Sequence, residues 1–158
     1  MKTILSPLKI AFMLCSCLFV SFFTQADSIS EFESKLLQYQ GKVVYVDFWA
    51  SWCGPCRQSF PWMNEMQSTY QDKGFEIISI NLDSEYSLAQ KFLSKYPATF
   101  DVIYDPDGLL AKKYQVQGMP SSFTLNSKSQ VKGVHVGFTE EKSHKYQKEI
   151  ITLLNTKS

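Results

Sequence analysis

The feature that most constrains the fold of this chain is an apolar strand that leads directly into a closely spaced cysteine pair. Residues Val43 to Ala50 are mostly β-branched and aromatic, which is typical of a strand buried on both faces of a sheet. Cys53 and Cys56 follow at once, and Pro55 between them is tolerated in the first turn of a helix. Both cysteines are therefore predicted where a central strand ends and a helix begins.

This position has a chemical consequence. A cysteine at the start of a helix lies near unpaired backbone N–H groups and the positive end of the helix dipole. Both effects favour a thiolate over a thiol. The spacing places Cys56 one turn into the helix, where it can resolve a mixed disulfide formed by Cys53. We predict Cys53 as the nucleophile, Cys56 as the resolving thiol and a redox disulfide between them, with no cofactor.

The first 26 residues differ from the rest of the chain. Lys2 and Lys9 form a basic start, Ile10 to Phe23 is almost wholly apolar, and a short polar stretch then ends at Ala26. This pattern is typical of a secretory signal peptide and too short for a permanent membrane span. We expect a signal at 1–26, one domain at 27–158 and a periplasmic location. An uncleaved anchor and a lipoprotein are the alternatives.

The cysteine count supports a working pair. Cleavage of the signal would remove Cys15 and Cys17, so the mature chain would contain only Cys53 and Cys56. Small exported domains usually use disulfides as structural cross-links, but a bridge across two residues closes too small a loop to stabilise much. Zinc needs about four ligands, and this pair supplies two. His135 and His144 are expected at the surface, so no metal site is predicted.

The remaining pattern predicts an α/β chain. Strands and helices alternate up to the turn at 105–108, and a hairpin over 122–136 and an amphipathic C-terminal helix follow. Ser87 and Gln90 are predicted to form a capping box that opens a helix ending at Tyr96. The order favours one central mixed β-sheet flanked by helices. A net charge of +1 gives no indication of nucleic-acid binding.

Two segments resemble a known superfamily. Residues 46–56, ending in Trp-Cys-Gly-Pro-Cys, look like the active-site strand and loop of thioredoxins, and Gly118-Met119-Pro120 resembles their cis-proline loop. The extra strand–helix segment between Asp83 and Asp105 is similar to the exported TlpA-like branch, which includes ResA- and CcmG-type reductases. The resemblance covers essentially the whole mature chain and implies a thioredoxin-like fold with that insertion.

The resemblance also implies a substrate-binding surface. Pro120 should follow a cis peptide bond and lie against the cysteine pair, and the Met119 backbone should pair with an extended substrate segment. Trp52 should form part of the apolar surface that meets protein substrates. The expected substrate-binding residues are Trp52, Gly54, Pro55, Met119 and Pro120.

Asp47 is the third predicted catalytic residue. It lies six residues before Cys53, which matches the buried acid of thioredoxins. Burial raises the pKa of a carboxyl by desolvation, so Asp47 is predicted to accept a proton from Cys56 as that thiol attacks. The lysine that often accompanies this acid is replaced by Ser79 when residues 81–83 are aligned with the similar thioredoxin stretch. The alternative is a strand-end aspartate that reaches solvent.

The sequence thus predicts a monomeric thiol–disulfide oxidoreductase that reduces other exported proteins. Gly54 and Pro55 match the reducing thioredoxins, and the TlpA-like resemblance points the same way. The resemblance implies a DsbD-like membrane reductase as electron donor and protein disulfides, with apocytochrome c as one candidate, as substrates. The alternatives are an oxidant or isomerase of protein disulfides and a copper-handling protein on the same fold. A peroxidase is disfavoured because its Pro-x-x-x-Thr-x-x motif is missing.

Overall fold

A computed structural model describes residues 27–156 of the chain. The predicted signal peptide at 1–26, together with Cys15 and Cys17, lies outside the described residues. Among the residues that are described, none of the helices has the length and apolarity needed to cross a membrane.

Five strands form one mixed sheet, as predicted. They are β1 (Val43–Trp49), β2 (Phe75–Asn81), β3 (Asp101–Tyr104), β4 (Ser121–Leu125) and β5 (Val131–Val136). The spatial order is β3-β2-β1-β4-β5. The first three strands run parallel, β4 runs antiparallel to β1, and β5 runs antiparallel to β4. Because β1 is central, every residue from Val43 to Trp49 is buried.

Helices cover both faces of this sheet. They are α1 (Ser28–Gln38), α2 (Cys56–Tyr70), α3 (Tyr86–Leu93), α4 (Leu109–Lys113) and α5 (Glu140–Asn155). One core cluster joins α2, α3 and α5 to the face of β1 that carries Tyr45 and Trp49. A second joins α1 and α4 to the face that carries Val46 and Phe48. The alternation of side chains along β1 therefore places its apolar residues in two separate cores.

The segment between Asp83 and Asp105, predicted as an insertion, contains α3 and the edge strand β3. The predicted capping box is wrong. The N-cap is Glu85, which makes no side-chain cap bond, and Ser87 lies inside the helix. Burial of Ala89 and Phe92 against the sheet determines where this helix lies, and such packing overrides a local capping signal. The helix also ends at Leu93 rather than at Tyr96.

The predicted turn at 105–108 has an additional structural role. The buried carboxylate of Asp105 accepts hydrogen bonds from the backbone N–H groups at the start of α4, Leu109, Leu110 and Ala111, at 2.9–3.1 Å. It also accepts one from Ser28 Oγ at 2.6 Å. A single buried acid thus caps α4 and joins it to α1.

Candidate active site at the start of helix α2

Cys53 and Cys56 form a disulfide at the junction of β1 and α2. Cys53 lies in the loop after β1 and is 3% exposed. Cys56 is fully buried and is the first residue of α2, rather than one turn into the helix as predicted. The backbone N–H of Cys56 donates to Cys53 Sγ at 3.3 Å. An N–H group in the first helical turn is thus directed at the more accessible sulfur, where it favours negative charge after reduction.

The residues around this disulfide form a rim that faces solvent. The Trp52 side chain is 68% exposed, and Gly54 and Pro55 are exposed beside it. Met119 packs against the core cluster that contains both cysteines. The Met119–Pro120 peptide bond is cis, which confirms that part of the prediction. The loop before β4 and the loop before α2 therefore meet at one end of the sheet.

Asp47 lies in the central strand beneath this rim. It is 1% exposed, so the alternative of a solvent-reaching aspartate is wrong. Residues two positions apart along a strand share one face, so Asp47 lies on the same face of β1 as Tyr45 and Trp49. That face is directed toward the cluster that contains the cysteines. Its Oδ2 atom has no hydrogen-bond partner among the described residues. Loss of hydration on burial raises the pKa of Asp47 well above that of an exposed aspartate.

Ser79 is the direct neighbour of Asp47 on β2, where a lysine often accompanies the acid in thioredoxins. Ser79 carries no positive charge, and its hydroxyl donates to the carbonyl of Asp101 at 3.2 Å. Within residues 27–156, burial is the only cause that shifts the Asp47 pKa. The surroundings of Asp47 thus increase the affinity of its carboxylate for a proton.

A buried polar network beside Asp47 was missed at the level of sequence. Ser122 lies opposite Asp47 on β4. Its Oγ accepts a hydrogen bond from the Tyr45 hydroxyl at 2.6 Å and lies 3.3 Å from His135 Nδ1. His135 Nε2 lies 3.2 Å from Glu149 Oε2 on α5. The network leads from the interior beside Asp47 toward the half-buried Glu149.

The prediction of a surface position is wrong for His135, whose side chain is 9% exposed, although His144 is exposed. His135 pairs with Ser122 across the sheet and packs against the Tyr146 ring, at 4.1 Å between ring centroids and with the rings tilted by 36°. The period of β5 gave no usable signal, because its apolar residues Val134 and Val136 are the exposed ones. His135 is two residues from the buried Gly133, and both share the face covered by α5.

Residues 24–150 match the family model described as Redoxin. The chain belongs to the Redoxin family. Two similar proteins are thiol–disulfide oxidoreductases called ResA. The protein from Geobacillus thermodenitrificans is 31% identical over 119 residues, which cover 75% of this chain and 68% of that protein. The one from Bacillus thuringiensis subsp. konkukian is 32% identical over 126 residues, covering 77% and 73%.

A solved structure of a thiol–disulfide exchange protein is also similar to this Redoxin. A putative thiol:disulfide interchange protein DsbE from Chlorobium tepidum is 48% identical, with a TM-score of 0.74 and coverage of 75% of this chain and 84% of that chain. These similarities place the protein among the ResA- and DsbE-like members of the thioredoxin superfamily. Its function is thiol–disulfide exchange at Cys53 and Cys56.

Proposed function

We propose that this Redoxin is exported and that it reduces disulfides in other proteins outside the cytoplasm. The observation that carries the proposal is the disulfide at the start of α2, where the Cys56 N–H donates to Cys53 Sγ. The neighbouring Trp52 is a large apolar side chain left open to solvent. A helix terminus that favours the thiolate and an exposed aromatic residue beside it suit exchange with a large partner.

In the proposed reaction the Cys53 thiolate attacks one sulfur of the substrate disulfide. A mixed disulfide forms, and the substrate's other sulfur leaves as a thiolate that takes up a proton. Cys56 then loses its proton and attacks Cys53 Sγ, which releases the second substrate thiolate. Two electrons pass to the substrate, and the Redoxin is left with the Cys53–Cys56 disulfide present in the structure.

Asp47 is proposed as the base that accepts the Cys56 proton. Cys56 is fully buried, so water has little access to its sulfur, and Asp47 lies in the strand beneath the same cluster. A carboxylate with a raised pKa is a stronger base than an exposed one, which suits the deprotonation of a thiol near neutral pH.

Substrate binding is proposed at the rim around the disulfide. The backbone of Met119, next to the cis peptide bond, would pair with an extended substrate segment that carries the disulfide. The remaining proposed contacts are Trp52, Gly54 and Pro55, which are exposed, and Pro120, which follows Met119 in the chain and is buried.

The reducing direction rests on Gly54 and Pro55 between the cysteines and on the ResA-like relatives. A reductant outside the cytoplasm needs electrons from across the membrane, so a DsbD-like membrane reductase is the proposed donor. Apocytochrome c is one proposed substrate.

Export would follow from a signal peptide at 1–26 and place the protein in the periplasm. The intact mass of the exported protein would show whether cleavage follows Ala26.

The reduction potential of the Cys53–Cys56 pair tests the direction. The exported protein is equilibrated with a series of defined dithiol buffers, and the reduced fraction is measured after acid quench and alkylation. We expect a value near that of thioredoxin, roughly −270 mV. A value near roughly −120 mV, which is typical of strong disulfide-forming oxidants, would contradict the reducing role.

The two cysteine roles are tested by trapping. The Cys56→Ser variant, after reduction, should accumulate a mixed disulfide with a disulfide-containing peptide because no resolving thiol remains. The matched Cys53→Ser variant should form none, since its remaining sulfur is the fully buried one. Equal trapping by both variants would refute the assignment of the nucleophile.

A further inference from the structure

A groove borders the redox disulfide on the side of α3. It has a volume of about 320 Å³. Ser51 lies just before the active-site loop and Arg57 follows Cys56, so one wall of the groove is continuous with the active site. The opposite wall is formed by α3 and the residues after it. The lining residues are Ser51, Arg57, Leu88, Lys91, Phe92, Lys95 and Tyr96.

The charge of this groove is strongly one-sided. Its three charged lining residues, Arg57, Lys91 and Lys95, are all cations with exposed side chains. Among residues 27–156, no side-chain hydrogen bond or ion pair engages any of them. Lys91 lies in the last turn of α3, and Lys95 lies in the turn that follows the helix. The whole chain has a net charge of only +1, so the cations are a local feature.

Asp83, an acid that contacts the groove residue Ser51, forms no ion pair with these cations. Asp83 is 4% exposed, and its carboxylate accepts hydrogen bonds from the Ser51 N–H at 3.0 Å, from Ser51 Oγ at 2.8 Å and from Asn81 Nδ2 at 2.8 Å. These bonds fix the position of Ser51 and hold the groove wall against β2. The groove is therefore built on a rigid base while its cations remain available.

The lining also includes two aromatic residues and one leucine. Phe92 is 5% exposed, Tyr96 is half-buried, and Leu88 is 40% exposed. A surface with an apolar base and a cationic edge complements a peptide that carries both acidic and apolar side chains. Arg57 is able to bind a carboxylate through two parallel N–H bonds, and the two lysines act as point charges.

We propose that this groove binds an acidic segment of the protein substrate, next to the disulfide that Cys53 attacks. The proposal rests on the proposed function, since it concerns how a protein disulfide is selected. Opposite charges on the two partners accelerate encounter and fix the orientation of the substrate. Substrates with acidic residues flanking the disulfide are then reduced faster than neutral ones.

The test uses three synthetic peptides with the same disulfide loop, flanked by three aspartates, three serines or three lysines. Their reduction by the pre-reduced exported protein is followed in single-turnover experiments at low salt. The acidic peptide should react fastest. In the double variant Lys91→Gln/Lys95→Gln its advantage over the serine peptide should fall roughly threefold to tenfold, as expected for the loss of two exposed ion pairs. The serine peptide should be unaffected.

A matched control removes the same charge elsewhere. The variant Lys145→Gln/Lys148→Gln alters two exposed lysines of α5 that do not line the groove, so the preference for the acidic peptide should be retained. Equal rates for the three peptides with the wild-type protein would overturn the proposal. So would a preference that survives Lys91→Gln/Lys95→Gln.

Failure of the proposed function gives a different result, because no peptide would then be reduced. A second measurement keeps the groove testable in that case. A fluorescent acidic peptide with serines in place of its cysteines should bind the wild-type protein and bind the Lys91→Gln/Lys95→Gln variant several-fold more weakly. Equal binding to both proteins would overturn the proposal independently of any redox chemistry.

Discussion

The substitution Asp47→Asn is expected to change how the stability of the oxidised protein depends on pH. Asp47 is 1% exposed, its Oδ2 atom has no hydrogen-bond partner among the described residues, and burial raises its pKa well above the ordinary value. Asparagine has nearly the same shape and does not titrate. The variant therefore removes the titration while it preserves most of the packing.

The sign follows from proton linkage. An aspartate in the unfolded chain releases its proton near pH 4, whereas the folded protein retains the proton on Asp47 to higher pH. Between the unfolded and folded pKa values of Asp47, the folded state binds one more proton than the unfolded state. The free energy of unfolding therefore falls by about 1.4 kcal/mol for each unit by which the pH rises. The stability contributed by protonated Asp47 is complete below about pH 4 and is lost as the pH rises through the folded pKa.

The assay compares urea unfolding of the oxidised wild-type protein and the oxidised Asp47→Asn variant at half-unit steps from pH 3 to pH 9. The oxidised form is used because its cysteines do not titrate. The stability of Asp47→Asn relative to wild type should rise above about pH 4 by about 1.4 kcal/mol per unit and then level off where Asp47 ionises. A difference that is independent of pH, or that falls as the pH rises, would refute the assignment of a raised pKa.

Three further substitutions test the packing and the polar contacts. Phe60→Ala removes a fully buried ring beneath the disulfide and should lower the free energy of unfolding by about 3–5 kcal/mol in chemical denaturation. Asp105→Ala removes the cap of α4 and should cost roughly 2 kcal/mol, with early loss of protection of the α4 amides in hydrogen exchange. Gly133→Ala would place a Cβ atom 2.0 Å from Glu149 Oε1 and displace that side chain from His135, at a cost of about 1–3 kcal/mol. In a Glu149→Ala background the cost of Gly133→Ala should largely vanish, and an unchanged cost would place the clash elsewhere.

The cysteine pair and its place in the fold follow from sequence because they depend on local properties. The apolar run at 43–50 predicts a strand buried on both faces, and the structure has this strand at Val43–Trp49 with every residue buried. The pair then lies at the start of α2, where Pro55 is compatible with a helix N-terminus. These conclusions need only the periods of side-chain direction and the stereochemistry of proline.

Other features depend on packing between distant segments. The capping signal at Ser87 and Gln90 was overridden because Ala89 and Phe92 are buried against the sheet. The burial of His135 depends on α5, which brings Tyr146 over its ring from eleven positions further along the chain. Neither outcome is encoded in the local pattern.

By itself the sequence determined the redox pair, the central strand and the order of the elements, because each is a property of short contiguous segments. Tertiary structure alone decided that Lys91 and Lys95 line one groove with Arg57 and that Ser122 connects Tyr45 to His135. The physical reason is chain path. The periods of strands and helices predict the face on which a side chain lies. The packing of the elements around the shared sheet decides which partner that side chain contacts.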